Sequence, residues 1–166
     1  MSEHRKNAEE RRQKLVETAE PLSGIPLEKF MFTPGLVMVN GTFDGLTPGH
    51  VKLLKIARRR GTQLVVAINS DRSVFELKGP GKPVIGLPDR VTILRELRCV
   101  DLVVSFDDEI GLMRLVGEYR PQYLVKGSDW RGQPITGEKE LRAFGGSILW
   151  VDRDASEVSS SELNGG

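Results

Sequence analysis

Glycine, threonine and histidine cluster where a buried strand gives way to a helix. Residues Leu36–Val39 form a short apolar run with β-branched Val37 and Val39, the pattern of a strand covered on both faces. Asn40, Gly41 and Thr42 break the run. Pro48, Gly49 and His50 then open a helical pattern carrying Val51, Leu53, Leu54, Ile56 and Ala57, which closes on Arg58, Arg59 and Arg60 and stops at Gly61. A glycine-bearing turn ahead of a helix N-terminus can hold phosphate, because backbone N–H groups point outward there and the helix dipole favours an anion. A second cationic segment, Lys78-Gly79-Pro80-Gly81-Lys82-Pro83, has no room for regular structure. Such a basic loop can close over a polyphosphate and neutralise charge as the transition state forms; a solvated surface loop is the plainer reading. Neither the Walker loop nor the dinucleotide G-x-G-x-x-G is present.

The elements that must position these residues alternate along the chain. Gln63–Ile68 reads as a second buried strand, ended by Asn69, Ser70 and Asp71, which can cap a helix over about Arg72–Leu77. Pro88, Asp89 and Arg90 start another helix, with Val91, Leu94 and Leu97 facing inward. Asp101–Phe106 is a third strand. Asp107, Asp108 and Glu109 then suggest a metal site at first sight, but their place at a helix start favours capping. Gln122–Val125 is a fourth strand, running into Lys126–Trp130. A short helix from Glu138 to Phe144 precedes a fifth strand, Ser147–Val151. This alternation predicts an α/β fold, Rossmann-like, in three α/β/α layers around a five-stranded parallel sheet. Ligands of such sheets bind beyond the carboxyl ends of the strands. Gly41–His50, Asn69–Asp71, Lys126–Trp130 and the serines after strand five all fall at those ends, and that convergence predicts a site.

At 166 residues, one domain over 36–166 is expected, preceded by a charged arm and linker over 1–35. The arm reads as a solvated helix or frayed tail; packing on a second subunit is the sharper alternative, and His4 within it is a bystander. Apolar content of 39% and charged content of 28% fit an ordinary globular protein. A net charge of +1 gives no electrostatic case for nucleic acid or an anionic membrane. The single cysteine, Cys99, forbids an internal disulfide and a cysteine-based zinc site, and its apolar surroundings read as core filling. No apolar run approaches membrane-spanning length and the N-terminus is too charged for a signal peptide, so a cytoplasmic protein is expected.

Gly41-Thr42-Phe43-Asp44 followed by Thr47-Pro48-Gly49-His50 resembles the signature G-x-F-D-x-x-[H/T]-x-G-H of the nucleotidyltransferase superfamily. The likeness runs through most of the chain from about Val37. The lysine loop, Asp89-Arg90, Leu97–Asp101, Val125–Asp129 and Gly145-Gly146 look most like the heptose 1-phosphate adenylyltransferase domain of ADP-heptose synthase. Trp130 after Asp129 is closer to glycerol-3-phosphate cytidylyltransferase. Val158-Ser159-Ser160-Ser161 resembles the second signature, whose helix N-terminus and hydroxyls hold the outer phosphates of the nucleotide.

The resemblance implies transfer of a nucleoside monophosphate from a nucleoside triphosphate, ATP or CTP, to a phosphorylated sugar or polyol, with release of pyrophosphate. ATP and a heptose 1-phosphate-like acceptor are the first expectation, and CTP with glycerol 3-phosphate or another polyol phosphate the alternative. By the same resemblance His50, Thr47 and Lys82 are the catalytic candidates, His50 stabilising charge at the α-phosphate. Gly41, Thr42, Phe43, Gly49, His50, Lys126, Gly127, Asp129, Ser159, Ser160 and Ser161 would bind the nucleotide. Asp44, Lys78, Arg90 and Trp130 would serve the acceptor side, Asp44 by orienting the acceptor or a loop group, and Trp130 by stacking on a base or filling the sheet edge. Magnesium is expected to arrive on the triphosphate with few protein ligands and no dedicated metal residues. A homo-oligomer is expected too. Thr47 departs from the histidine of the closest-looking relatives, although phosphopantetheine adenylyltransferases also carry threonine there. Thr47, together with the few residues after Ser161, motivates a third reading, a nucleotide-binding protein with impaired catalysis.

Overall fold

The computed structural model describes residues 34–152. Five strands form one sheet: β1 (Leu36–Gly41), β2 (Gln63–Asn69), β3 (Leu102–Phe106), β4 (Tyr123–Gly127) and β5 (Ser147–Val151). They lie in the order β3-β2-β1-β4-β5, every neighbouring pair parallel. The chain thus builds outward from β1 in one direction, then returns to start again on its other side. The switch point falls between β1 and β4, where such sheets open a crevice. The connecting helices are α1 (Pro48–Arg59), α2 (Asp71–Lys78), α3 (Leu87–Arg95), α4 (Glu109–Tyr119) and α5 (Glu138–Ala143), with a 3-10 turn at Ser128–Trp130.

Alternation along each strand divides the core between the two faces. Leu36, Met38, Val65 and Ala67 pack with Leu112, Leu115 and Val116 of α4 and Leu141 of α5. Val37, Val39, Leu64, Val66 and Ile68 pack with Leu53, Leu54 and Ala57 of α1 and Leu94 of α3. These two clusters make the expected three layers. Cys99 is half-buried against the α1 side. Among the described residues no helix is long and apolar enough to cross a membrane.

Several boundaries differ from the sequence expectation: β1 runs on through Asn40 and Gly41, which pair with Ala67 and Ile68 of β2, and three others have a plain local reason. The stop after α1 is made by Arg60 in a right-handed conformation. Gly61 is there for space, since a Cβ on it would sit 2.0 Å from the Gly35 carbonyl oxygen. Asp101 lies before β3, where its carboxylate accepts the Leu64 N–H at 2.7 Å and pairs with Arg58 at 3.0 Å. Finally β4 runs on through Lys126 and Gly127, because β5 pairs with both: Lys126 opposite Trp150, Gly127 opposite Val151.

Candidate active site

The phosphate turn is held from below and from its helix end. Thr47 is the N-cap of α1 and Pro48 its first residue. The Thr47 hydroxyl accepts the His50 N–H at 3.3 Å, and the Thr47 N–H donates to His50 Nδ1 at 3.1 Å, a reciprocal cap with histidine in the place of the usual glutamate. A backbone N–H can only donate, so Nδ1 accepts and the neutral ring carries its proton on Nε2. His50 lines the cleft, and this cap fixes which ring nitrogen carries its N–H. Phe43 packs against the imidazole, ring centroids 5.4 Å apart. The Phe43 backbone has φ +47°, a left-handed conformation costing about 1–3 kcal/mol in a non-glycine residue. Burial of its ring, only 7% exposed, offsets that cost.

A cleft of about 640 Å³ opens at the carboxyl ends of the strands. Gly41, Thr42, Phe43, Gly49 and His50 line it from the turn, Lys78 from the end of α2, and Lys126, Gly127 and Trp130 from β4 and the 3-10 turn. The structure thus brings nine of the sequence candidates to one cavity.

Lys126 is the electrostatic centre of the far wall. Its Nζ donates to Asn40 Oδ1 at 2.7 Å and stands 5.7 Å from the Trp130 ring. Among the described residues no carboxylate pairs with it, and burial pulls its pKa down from 10.5 to about 8. Asn40 and Ser73 escaped the sequence reading, whereas Asn69 fell within a segment expected at the site; Asn69 and Ser73 also line the cleft, with Asn69 Nδ2 donating to Ser73 Oγ at 2.9 Å. The signal for Asn40 was available: it directly follows the apolar run of β1 at the ligand side, as Asn69 follows that of β2. Asp108 does cap α4, accepting the Gly111 N–H at 2.7 Å, yet Asp107, Asp108 and Glu109 also face the cavity. Among the described residues no three His, Cys, Asp or Glu side chains gather as a metal site.

Other candidates lie elsewhere. Arg90 was expected to serve the acceptor side, but it is 1% exposed and its guanidinium is committed to four protein acceptors. Asp44 takes the second of its expected roles. Its carboxylate accepts the Val84 N–H at 2.9 Å and the Ile85 N–H at 2.8 Å, and so orients the lysine loop. Partial burial works against its charged form, but the Ile85 and Val84 N–H groups and the nearby Lys82 and Lys78 charges outweigh it and hold the carboxyl below its usual range. Lys82 is exposed on that loop and Asp129 on the 3-10 turn; neither lines the cleft. Thr47 does not line it either and acts on His50. Trp130 is 42% exposed at the cleft mouth, so it does not fill the sheet edge. Ser159, Ser160, Ser161 and the arm fall outside the described residues.

Comparison with known proteins bears on this arrangement. The family model described as cytidylyltransferase-like matches residues 38–165. A bifunctional protein HldE from Actinobacillus succinogenes is 46% identical over 113 residues, which is 68% of this chain and 24% of that protein. The HldE of Edwardsiella ictaluri is 42% identical over 149 residues, 90% of this chain and 31% of its own length. The chain therefore spans about a quarter to a third of these curated relatives. Among solved structures, a lipopolysaccharide core biosynthesis protein from Thermoplasma volcanium superposes with a TM-score of 0.55 at 25% identity, over 76% of this chain and all of that one.

Proposed function

The chain belongs to the cytidylyltransferase-like family of nucleotidyltransferases, and from that premise we propose that it moves an adenylyl group from ATP to a sugar 1-phosphate of the heptose type, releasing pyrophosphate. A phosphate oxygen of the acceptor attacks the α-phosphorus in line. The bond from that phosphorus to the α–β bridging oxygen breaks, and pyrophosphate leaves with the electron pair. No covalent enzyme intermediate is needed, so the chain contributes position and charge. Gly41, Thr42 and the N-terminus of α1 hold phosphate oxygens with backbone N–H groups. His50 donates from Nε2 to the α-phosphate as negative charge builds there. Lys126 supplies a cation in a poorly hydrated wall, where its field is little screened. Lys78 and Lys82 add charge from the lysine loop, and Ser159, Ser160 and Ser161 take the outer phosphates. Magnesium enters as part of the triphosphate substrate.

The observation that carries this reading is the pairing of a tautomer-fixed His50 with Lys126 across one cleft, a donor and a cation facing the same space. The donor base and acceptor are supported by the likeness to heptose adenylyltransferase domains and to HldE proteins. The Thermoplasma protein's description as acting in lipopolysaccharide core biosynthesis agrees with a sugar phosphate acceptor. Trp130 at the cleft mouth favours the second reading, CTP with a polyol phosphate.

Thermal shift with magnesium and each nucleoside triphosphate separates these. A ligand at a hundred times its dissociation constant stabilises by about 2.7 kcal/mol. ATP alone is expected to raise Tm, and pyrophosphate release should then follow addition of a sugar 1-phosphate. A selective CTP shift moves the assignment to the second reading, and binding without pyrophosphate release under any acceptor to a non-catalytic nucleotide binder. His50→Ala is expected to abolish turnover while the fold persists; normal turnover in that variant rejects the site.

A further inference from the structure

Arg90 is the largest fully buried side chain among the described residues, and it carries a charge. Its guanidinium reaches four acceptors in three segments. Nε donates to the Ile85 carbonyl at 2.9 Å, in the lysine loop. Nη1 donates to the Thr42 carbonyl at 2.7 Å, in the phosphate turn, and to the Asn69 carbonyl at 2.7 Å, at the end of β2. Nη2 donates to Asp71 Oδ1 at 2.8 Å, and the same oxygen accepts the Leu87 N–H at 2.8 Å. A rigid planar fork can serve carbonyls that diverge in this way; a lysine ammonium, with its donors on one atom, cannot.

Ile85 is held twice. Arg90 takes its carbonyl while Asp44, of the phosphate turn, takes its N–H. The loop that carries Lys82 is thereby tied at one end to the turn through these two side chains.

We propose that Arg90 is a positioning residue for nucleotidyl transfer, setting the lysine loop against the phosphate turn so that the loop's cations meet phosphates held by the turn. The inference rests on the transfer reading above. Arg90 touches neither substrate; it acts through Thr42 and Ile85, and Asp44 is the second clamp on the same joint.

The test uses Arg90→Lys, which keeps the charge and loses the fork. Amide exchange of Val84 and Ile85 in the free protein is expected to quicken by about tenfold or more, with the β1 and β2 amides at wild-type rates. The functional arm is a double-mutant cycle with Lys82→Ala. If Arg90 acts through the loop, Lys82→Ala costs the wild type about fivefold or more in kcat and the Arg90→Lys enzyme less than about twofold, with KM for the nucleotide changing less than kcat. Unchanged exchange at Val84 and Ile85, or effects that multiply, overturns the proposal. Should Arg90→Lys fail to fold, Asp44→Asn on the outer side of the same peptide enters the cycle in its place. A wild type without turnover rejects the transfer reading alone, and the cycle is then read on the MgATP dissociation constant. A wild type that binds no MgATP rejects both.

Discussion

Beneath the phosphate turn, Arg90 meets four acceptors at 2.7 to 2.9 Å. Across the cleft, Lys126 meets a single neutral amide oxygen and an aromatic ring. Both cations are withdrawn from water, yet one has its charge answered by the protein and the other does not. A cation surrounded by its own chain's carbonyls holds backbone in place. A cation left facing a cavity with one amide partner is stabilised by an anion that arrives from outside. The contrast separates the part of the site that is architecture from the part that binds.

Substituting methionine at each position tests the contrast most directly. Arg90→Met leaves the Thr42, Asn69 and Ile85 carbonyls without their donor, and breaking a buried charged network of this kind costs about 3–5 kcal/mol. Lys126→Met removes a desolvated charge and leaves only the Asn40 amide short of a partner beside the cleft. Its urea midpoint should match or exceed the wild type, while affinity for MgATP or the sugar phosphate falls about tenfold or more, the worth of one charge-assisted hydrogen bond. Equal destabilisation by the two variants would erase the distinction.

The pH dependence sharpens it. The folded chain releases the Lys126 proton near pH 8 and the unfolded chain near 10.5. Between those values the unfolded state holds more protons, so the stability of the ligand-free protein rises with pH, by at most about 1.4 kcal/mol per pH unit. An anion in the cleft favours the charged lysine and raises its pKa, so binding takes up a proton and affinity falls as pH climbs through about 8. Urea titrations and MgATP titrations from pH 7 to 10 should therefore slope in opposite directions. Both Lys126-dependent slopes should vanish in Lys126→Met; a slope that survives belongs to another group.

The same contrast explains what the sequence could disclose. Leu36–Val39 and Ser147–Val151 were legible because buried parallel strands are continuous apolar runs, and Asp108 because a cap acts within its own turn. His50 was legible through the spacing of its motif. Arg90 was not, since its acceptors at 42, 69 and 85 meet only when three distant segments converge at the carboxyl ends of β1 and β2. The resemblance placed it instead on the acceptor side. Lys126 was seen as a site residue but placed in a loop. Its burial follows from β5 pairing beside it and from the Val39–Val125 register that brings Asn40 alongside, neither of which is a local property.

The smallest effect concerns Thr47, the N-cap of α1. If its hydroxyl touched a phosphate, Thr47→Val would lose catalysis on the scale of a removed transition-state donor, about a hundredfold or more. The structure gives that hydroxyl to His50 twice: it accepts the His50 N–H at 3.3 Å and lies 3.0 Å from Nδ1, while the Thr47 N–H donates to the same Nδ1 from backbone. Valine removes both hydroxyl bonds and keeps the backbone one to Nδ1, so the tautomer of His50 survives. The expected result is a cap-sized loss of about 1 kcal/mol in stability, with kcat reduced less than about tenfold and both restored in Thr47→Ser. A hundredfold fall in kcat at unchanged stability would instead put Thr47 on the binding side of the cleft, beside Lys126, and take it out of the framework that Arg90 belongs to.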